Sequence, residues 1–227
     1  MTEAVLLEDL VRCAGVSRTY GQGTAAVVAV HSVDCAVRST SRIAVTGRSG
    51  SGKSTLLHLL AGLDRPTAGE LSWPGLGGSP AGRPGVVGVV FQGPSLLAPL
   101  DVGENVALPL LLAGAGPGNA QALAQDALRR AGVADLAGKL PEEISGGQAQ
   151  RVAVARVLAS APRLILADEP TGQLDAAHRD EVVTLLVEAA DALGAGLVIA
   201  THDGRVADRL PERWIMDDGR IRENQAC

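Results

Sequence analysis

A glycine-rich segment in the first quarter of the chain constrains the fold more than any other feature. It matches the phosphate-loop pattern of glycine, four residues, glycine, lysine and serine or threonine. Residues 43–46 before it predict a buried strand, and residues 56–61 after it predict a helix. The segment consists of Gly47, Arg48, Ser49, Gly50, Ser51, Gly52, Lys53, Ser54 and Thr55. Because a loop in this position directs helix-terminal amides at an anion, it predicts a nucleotide-binding α/β core.

The residue types of this loop suit the phosphates of a nucleotide. Glycines permit positive φ and a close approach of backbone N–H groups to an anion. Lys53 is one of only two lysines among 20 basic residues, and it supplies a compact positive charge. The Ser54 hydroxyl offers an oxygen ligand to Mg²⁺. A flexible Gly/Ser loop is the alternative in a chain with 28 glycines, and the pattern alone does not distinguish kinases, GTPases and ATPases.

Composition narrows the class of protein. The 227 residues suffice for one large domain or for a core with an inserted subdomain. A net charge of −5 and an aromatic content of 2% are unlike those of a nucleic-acid binder, so no nucleic-acid partner is expected. The three cysteines, Cys13, Cys35 and Cys227, lack metal-ligand spacing, and we expect reduced thiols without a chemical role.

The sequence gives no sign of export or of membrane insertion. Glu3, Glu8 and Asp9 stand where a signal peptide would be basic. The longest apolar runs, such as residues 106–115, fall short of the ~20 residues that a membrane helix needs. We therefore expect a cytoplasmic protein that meets a membrane only through a partner.

Strand and helix patterns predict one domain over residues 1–227 with an insertion. Short strands are expected at residues 11–16, 25–30, 33–37, 69–73 and 86–91, which places a β-rich layer on both sides of the phosphate loop. The pattern is helical over residues 93–143, where Asp101 and Glu104 indicate a helix start and residues 119–131 an amphipathic helix. The α/β core thus comprises residues 1–92 and 144–227. Gln92 lies at the hinge, where it either contacts a metal or water or simply ends a strand.

A second helix start carries two consecutive glycines. Ser145 and Gln148 fit a capping box, which by itself explains only a well-capped helix. Gly146 and Gly147 are not needed for a cap, whereas a phosphate close to the helix amides favours residues without Cβ. The chain therefore has a second candidate anion site.

Carboxylates and a histidine follow two further apolar runs. Asp168 and Glu169 come directly after a predicted buried strand, which delivers them to the carboxyl edge of the sheet. Behind a phosphate loop, Asp168 is expected to hold Mg²⁺ with Ser54, and Glu169 to orient or deprotonate the attacking water. Asp175 is a natural N-cap for a helix ending near residue 193. His202 follows the strand 197–201 and is either a γ-phosphate or water contact or a turn residue.

Taken together and in order, these motifs resemble the ATP-binding-cassette ATPases, a phosphate-loop NTPase (RecA-like) fold with a β-rich N-terminal layer and an inserted helical subdomain. The resemblance implies a role for each motif. Tyr20 is similar to the adenine-stacking aromatic, although a plain surface or core ring is the alternative. Gln92 matches the Q-loop, Asp168 and Glu169 the second nucleotide motif, Asp175 the D-loop and His202 the switch histidine. The signature, which acts in trans, is Ser145, Gly146, Gly147 and Gln148.

The family resemblance also implies cofactors and partners. They are ATP and Mg²⁺, a homodimer or a second nucleotide-binding domain, and an integral-membrane permease that would hold this chain at the cytoplasmic face of the cell membrane. Residues 91–97, 104–110 and 167–172 resemble the lipoprotein-releasing and macrolide-export branch, which includes a related cell-division ATPase. Departures from the family pattern are Arg48, Ile144, Gln173 and the pair Thr40 and Ser41.

Two activities remain open from the motifs. One is ATP-driven export or extraction of a lipoprotein, peptide or drug-like amphiphile. The other is regulation of cell-envelope or cell-division machinery without transport. A cassette acting on ribosomes or DNA is disfavoured by the acidic charge and by the lack of a second cassette.

Overall fold

The structure is a computed structural model that describes residues 8–172 and 174–226. Glu3, Gln173 and Cys227 lie outside these residues. The strands are β1 (Asp9–Tyr20), β2 (Val27–Arg38), β3 (Arg42–Thr46), β4 (Ala68–Ser72), β5 (Val87–Val90), β6 (Leu164–Asp168), β7 (Gly196–Thr201), β8 (Glu212–Asp217) and β9 (Arg220–Ala226). The helices are α1 (Lys53–Leu60), α2 (Val102–Leu112), α3 (Pro117–Arg130), α4 (Gly146–Leu158), α5 (Ala176–Leu193) and α6 (Gly204–Ala207).

A six-stranded sheet in the order β5-β6-β7-β3-β8-β9 forms the centre of the fold. Its first five strands are parallel, and β9 pairs antiparallel with β8. Because β6, β7 and β3 are adjacent and parallel, the residues that follow them meet at one edge of the sheet. That edge carries the phosphate loop, Asp168 at the end of β6, Glu169 after it and His202 after β7. The expected α/β fold class is confirmed.

Side chains of the central strands alternate between two hydrophobic cores. Leu164 and Leu166 of β6 face the core that contains α1 and the N-terminal strands. Ile165 and Ala167 face the opposite core, which α4, α5 and α6 cover. A strand that is buried on both faces has no polar alternation, and this explains the continuous apolar runs in the sequence.

The N-terminal layer is a three-stranded antiparallel sheet in the order β2-β1-β4. The expectation of separate strands at residues 25–30 and 33–37 is wrong, since β2 runs unbroken from Val27 to Arg38. The apparent break at Ser32 is a bulge, where φ is 48° and the backbone N–H donates to Ser17 Oγ at 2.9 Å. A bulge adds one residue to a strand without ending its hydrogen-bonded pairing with the neighbouring strand. The polar residues at this bulge interrupt the apolar pattern, and the sequence therefore predicted a loop here.

Helices α2 and α3 pack with α4 in a third hydrophobic core. It contains Val102 and Val106 of α2, Leu128 of α3 and Val152 of α4. The segment 93–143 therefore buries its apolar side chains partly against a helix that lies beyond residue 143. The expected helix start is confirmed by a capping box, in which Asp101 Oδ1 accepts from the Glu104 N–H at 2.7 Å.

Cys13 and Cys35 are directly paired across β1 and β2, and both thiols are free. The hydrogen bond between the two thiols, which stabilises the protonated form of Cys35, together with burial holds the pKa of Cys35 well above its ordinary value. Because the thiolate is the reactive form, this environment keeps Cys35 unreactive at neutral pH. None of the described helices is long and apolar enough to cross a membrane.

Candidate nucleotide-binding site

The phosphate loop leaves β3 and enters α1 through a left-handed glycine. Gly52 is the N-cap of α1 with φ of 100°. A Cβ on Gly52 would overlap the carbonyl oxygen of Ala29, and one on Gly47 would overlap that of Met216. Neighbouring strands thus press on the loop from outside and exclude side chains at both positions. Packing within the chain therefore requires glycine at both positions, independently of a bound phosphate.

Lys53 points into the loop that it follows. Its side chain is buried, and Nζ donates to the carbonyl oxygens of Gly47 at 2.9 Å and Arg48 at 3.2 Å. The same nitrogen lies 3.6 Å from Glu169 Oε1. A positive charge is therefore fixed at the start of α1, where the amides of the helix also attract anions.

Glu169 is held in place by both its backbone and its side chain. Its φ is 46°, a conformation that is strained for a residue with a Cβ, and its N–H donates to Ala200 O at 2.9 Å. Its Oε2 lies 2.9 Å from His202 Nδ1. The Glu169 side chain is only 13% exposed, whereas that of His202 is 66% exposed. The structure thus brings together Lys53, Glu169 and His202 from three segments of the chain.

Asp168 provides the strongest indication of a cation. Within residues 8–172 and 174–226, its Oδ1 is buried without a hydrogen-bond partner, as is Ser51 Oγ. A buried carboxylate oxygen without a partner is costly, and a hard cation such as Mg²⁺ removes that cost. The described part of the chain has no cluster of three acidic, histidine or cysteine residues that could hold a metal alone. This donor set fits Mg²⁺, which uses one or two protein oxygens together with phosphate oxygens and water.

Gln92 lies beside the turn that follows Glu169. Its Nε2 would be 3.3 Å from a Cβ on Gly172. The backbone on both sides of Gln92 is fixed by two α4 side chains that the sequence analysis did not identify. Gln150 Nε2 donates to Phe91 O at 3.2 Å, and Arg156 Nη1 donates to Ser95 O at 2.8 Å. Gln150 is 2% exposed. A polar residue on the apolar face of a helix indicates a buried hydrogen bond, and this pattern was the sequence signal for its role.

The helix start at Ser145 has the expected cap. Ser145 Oγ accepts from the Gln148 N–H at 3.3 Å, and Gln148 Oε1 accepts from the Ser145 N–H at 2.9 Å. A Cβ on Gly147 would lie 2.7 Å from His178 Cδ2, whereas one on Gly146 would meet nothing within 4 Å. Gly147 therefore has a packing reason inside the chain, and only Gly146 lacks one.

Asp175 and His178 link the start of α5 to this helix. Asp175 Oδ1 caps α5 by accepting from the His178 N–H at 3.0 Å, and Oδ2 lies 2.8 Å from His178 Nδ1. Hydrogen bonds from His178 lower the pKa of Asp175. Among the hydrogen bonds and ion pairs of the described residues, none joins residues 145–148 to the phosphate loop.

Tyr20 ends β1 and is 40% exposed. Arg48, Ser49 and Gly50 are exposed along the outer rim of the phosphate loop, and Thr55 lies in the first turn of α1. Ser54, next to Lys53 in α1, is also exposed. The Ser49 and Ser54 side chains thus lie on the surface of the molecule, whereas Ser51 is buried.

A phosphate loop at the end of a parallel strand, with a neighbouring strand delivering a carboxylate to the same edge, defines a phosphate-loop nucleoside triphosphatase. The sequence profile of the family described as ABC transporter matches residues 30–172, and the chain belongs to that family. Among curated relatives, it is 35% identical to the lipoprotein-releasing system ATP-binding protein LolD of Idiomarina loihiensis. That match covers 97% of this chain and 100% of LolD.

Solved structures give the same assignment. The dimeric post-hydrolysis structure of the ATP-binding cassette MJ0796 bound to ADP and Pi matches with a TM-score of 0.86 and 32% identity, over 95% of this chain and 98% of that one. The cbiO1 structure from Clostridium perfringens, part of the ABC transporter complex cbiONQ, matches with a TM-score of 0.85 and 27% identity, over 96% and 89%. These findings confirm the expected class, a nucleotide-binding ATPase subunit of the ABC transporter family, and the resemblance to the lipoprotein-releasing branch.

Proposed function

We propose that this chain hydrolyses ATP with Mg²⁺ in a site shared between two copies, and that it drives a membrane partner that extracts a lipoprotein or another amphiphile. The convergence of Lys53, Asp168 and Glu169 at one sheet edge carries the proposal. Three charged groups from two motifs meet there within reach of one nucleotide. The identity to LolD supports the choice of substrate class.

The phosphates are held by the loop amides and by Lys53. Ser54 and Asp168 would hold Mg²⁺, with Gln92 contacting the metal or a water. When bound, Mg²⁺ neutralises charge on the phosphate oxygens during transfer. The unpartnered Asp168 Oδ1 supports this assignment.

Glu169 orients or deprotonates the water that attacks the γ-phosphate. His202 holds one oxygen of that carboxylate through Nδ1, and Lys53 lies near the other. The carboxylate therefore has a fixed direction and little freedom to rotate. Fixing a base before the reaction reduces the entropy lost in reaching the transition state.

The signature residues Ser145, Gly146, Gly147 and Gln148 bind the γ-phosphate of the ATP held by the partner copy, and Asp175 lies at the same interface. The absence of a hydrogen bond from these residues to their own phosphate loop, within the described chain, supports action in trans. Dimeric structures of MJ0796 support it independently. ATP closes the dimer, and hydrolysis opens it.

Residues 93–143 form the helical subdomain of a single nucleotide-binding domain, in which residues 1–92 and 144–227 form the ATP-binding core. This subdomain turns about Gln92 and, from the cytoplasmic face of the membrane, transmits dimer closure to an integral-membrane permease. Gln150 and Arg156 support the coupling because they bond to backbone carbonyls on both sides of the hinge.

Co-purification tests this function. The tagged chain is isolated from detergent-solubilised membranes, and ATP hydrolysis by the recovered complex is measured alone and with an acylated lipoprotein, a peptide or a drug-like amphiphile. Co-isolation of an integral-membrane protein and stimulation by the lipoprotein support extraction. A membrane partner without stimulation by lipoprotein, peptide or amphiphile favours envelope regulation, and recovery without a membrane protein contradicts both activities.

A further inference from the structure

Arg18, Tyr20 and Asp64 form a polar cluster beside the phosphate-loop helix. Tyr20 Oη donates to Asp64 Oδ2 at 2.7 Å, and Arg18 Nε donates to the same oxygen at 2.8 Å. The Arg18 guanidinium carbon lies 4.5 Å from the centroid of the Tyr20 ring. Asp64 follows the end of α1, so the cluster joins the end of β1 to the segment that follows α1.

Arg18 determines which face of the Tyr20 ring is free. A guanidinium at this distance stacks on one face by a cation–π interaction. Among the described residues, no aromatic ring or second guanidinium is stacked on Tyr20, which keeps 40% of its surface exposed. Val27, the register partner of Tyr20 on β2, is 62% exposed and extends the apolar surface beside the ring. A flat apolar group therefore finds one open face and an apolar neighbour.

Asp64 fixes both partners with one oxygen. The Arg18 and Asp64 side chains are 24% and 20% exposed, so their ion pair is partly shielded from water. Tyr20 and Asp64 raise the pKa of Arg18. Partial burial acts to raise the pKa of Asp64, but hydrogen bonds from Tyr20, the Arg65 amide and Arg18 outweigh it, so that this pKa is lowered. Both groups stay charged at neutral pH, and the ring keeps its orientation.

We propose that Arg18 and Asp64 are positioning residues that hold Tyr20 in the orientation that stacks on a purine base. The proposal rests on the proposed ATP-binding function and on the adenine-stacking role that the family resemblance implies for Tyr20. A ring that is ordered before binding loses less conformational entropy when the base arrives. Neither residue bonds to the phosphate loop in the described chain, so the effect is confined to ligands that carry a base.

The test compares a ligand with a base and one without. Dissociation constants of the full chain are measured for Mg·ATP and for Mg·tripolyphosphate. Arg18→Met is expected to weaken ATP binding about two- to fivefold, the range of one exposed cation–π contact, and to leave tripolyphosphate unchanged. The KM for ATP rises accordingly while kcat is unchanged. Arg12→Met is the matched control, since Arg12 also lies on β1 and pairs with Asp9 but is remote in sequence from Tyr20.

Two Tyr20 variants separate the possible failures. Tyr20→Phe keeps the ring but removes the bond to Asp64, and it is expected to weaken ATP binding about as much as Arg18→Met does. Tyr20→Ala removes the stack and should weaken ATP at least about fivefold. The positioning role alone is overturned if Arg18→Met weakens the binding of ATP and tripolyphosphate equally. It is also overturned if Arg18→Met leaves ATP affinity unchanged while Tyr20→Ala clearly weakens it. Unchanged ATP affinity in Tyr20→Ala overturns the stacking assignment and the positioning role together.

Discussion

Glu169 Oε2 and His202 Nδ1 lie 2.9 Å apart, although the two residues follow different strands of the sheet. The adjacency of β6 and β7 creates this contact, because parallel neighbours deliver the residues after their carboxyl ends to the same place. The histidine is exposed and the carboxylate is nearly buried. An exposed histidine that orients a largely buried carboxylate is consistent with a site that a second copy of the chain covers before the reaction.

His202→Ala should slow hydrolysis without weakening ATP binding. The variant frees one oxygen of Glu169 while the phosphate loop stays intact, so kcat is expected to fall by about 100-fold. Steady-state kinetics and equilibrium ATP binding measure the two effects separately. His31→Ala is the control, since His31 contacts Arg220 instead of a carboxylate in the site. An equal loss in both variants would remove His202 from the proposed mechanism.

Lys53→Ala should abolish tight ATP binding. The ammonium is fixed by two loop carbonyls, and its removal is expected to weaken ATP at least about tenfold. Titration with a fluorescent ATP analogue measures this loss. Lys139→Ala changes the other lysine, which is exposed, and should bind like the unmodified protein. Equal affinity of the two variants would show that Lys53 does not contact the phosphates.

The signature glycines should respond differently to alanine. Gly147→Ala places a Cβ against His178, a partly exposed side chain that must shift, and is expected to destabilise the isolated chain by about 1 kcal/mol. The Cβ of Gly146→Ala meets nothing in its own chain, so this variant should not lower the melting temperature, while it greatly reduces hydrolysis. Thermal unfolding and ATPase assays on both variants measure the pair. Normal hydrolysis by Gly146→Ala would contradict the proposal that Gly146 contacts the ATP held by the partner copy.

Stability should depend on Asp9 at neutral but not at acidic pH. Hydrogen bonds from Arg12 and Arg38 lower the pKa of this nearly buried carboxyl below its unfolded value of about 3.9. Its contribution is therefore present above that value and is lost as pH falls through the folded pKa. Asp9→Asn should cost about 1 kcal/mol at pH 7, because both arginines are exposed enough for water to screen them. Urea unfolding should show this difference shrinking toward pH 3; a constant difference would exclude a role for the charge.

Local patterns predicted much of this structure. The strand before the phosphate loop, the helix after it and the caps at Asp101, Ser145 and Asp175 follow from apolar periodicity and from bonds between residues close in sequence. The apolar strand ending in Asp168 was equally clear. In each case the controlling interactions lie within a few residues, and the sequence displays them directly.

Contacts between distant segments were not predictable in this way. The cluster of Arg18 with Asp64, the packing of His178 on Gly147 and the bond from Gln150 to Phe91 each join separate elements. No periodicity encodes such pairs, because the pairing depends on how the whole sheet and its helices assemble. The continuity of β2 was not predictable for a related reason, since the bulge at Ser32 interrupts the strand pattern of the sequence in the way that a loop does.

The most direct test of the shared site is the mass of the Glu169→Gln variant in solution with and without ATP, measured by analytical ultracentrifugation. This variant keeps the phosphate loop and lacks only the carboxylate that acts on water, so ATP should remain bound. The account predicts that Glu169→Gln is monomeric with Mg·ADP and forms a stable dimer with Mg·ATP. The double variant Glu169→Gln/Gly146→Ala should form no dimer with Mg·ATP. A Glu169→Gln protein that binds ATP and stays monomeric, or that hydrolyses ATP at the unmodified rate, would contradict it.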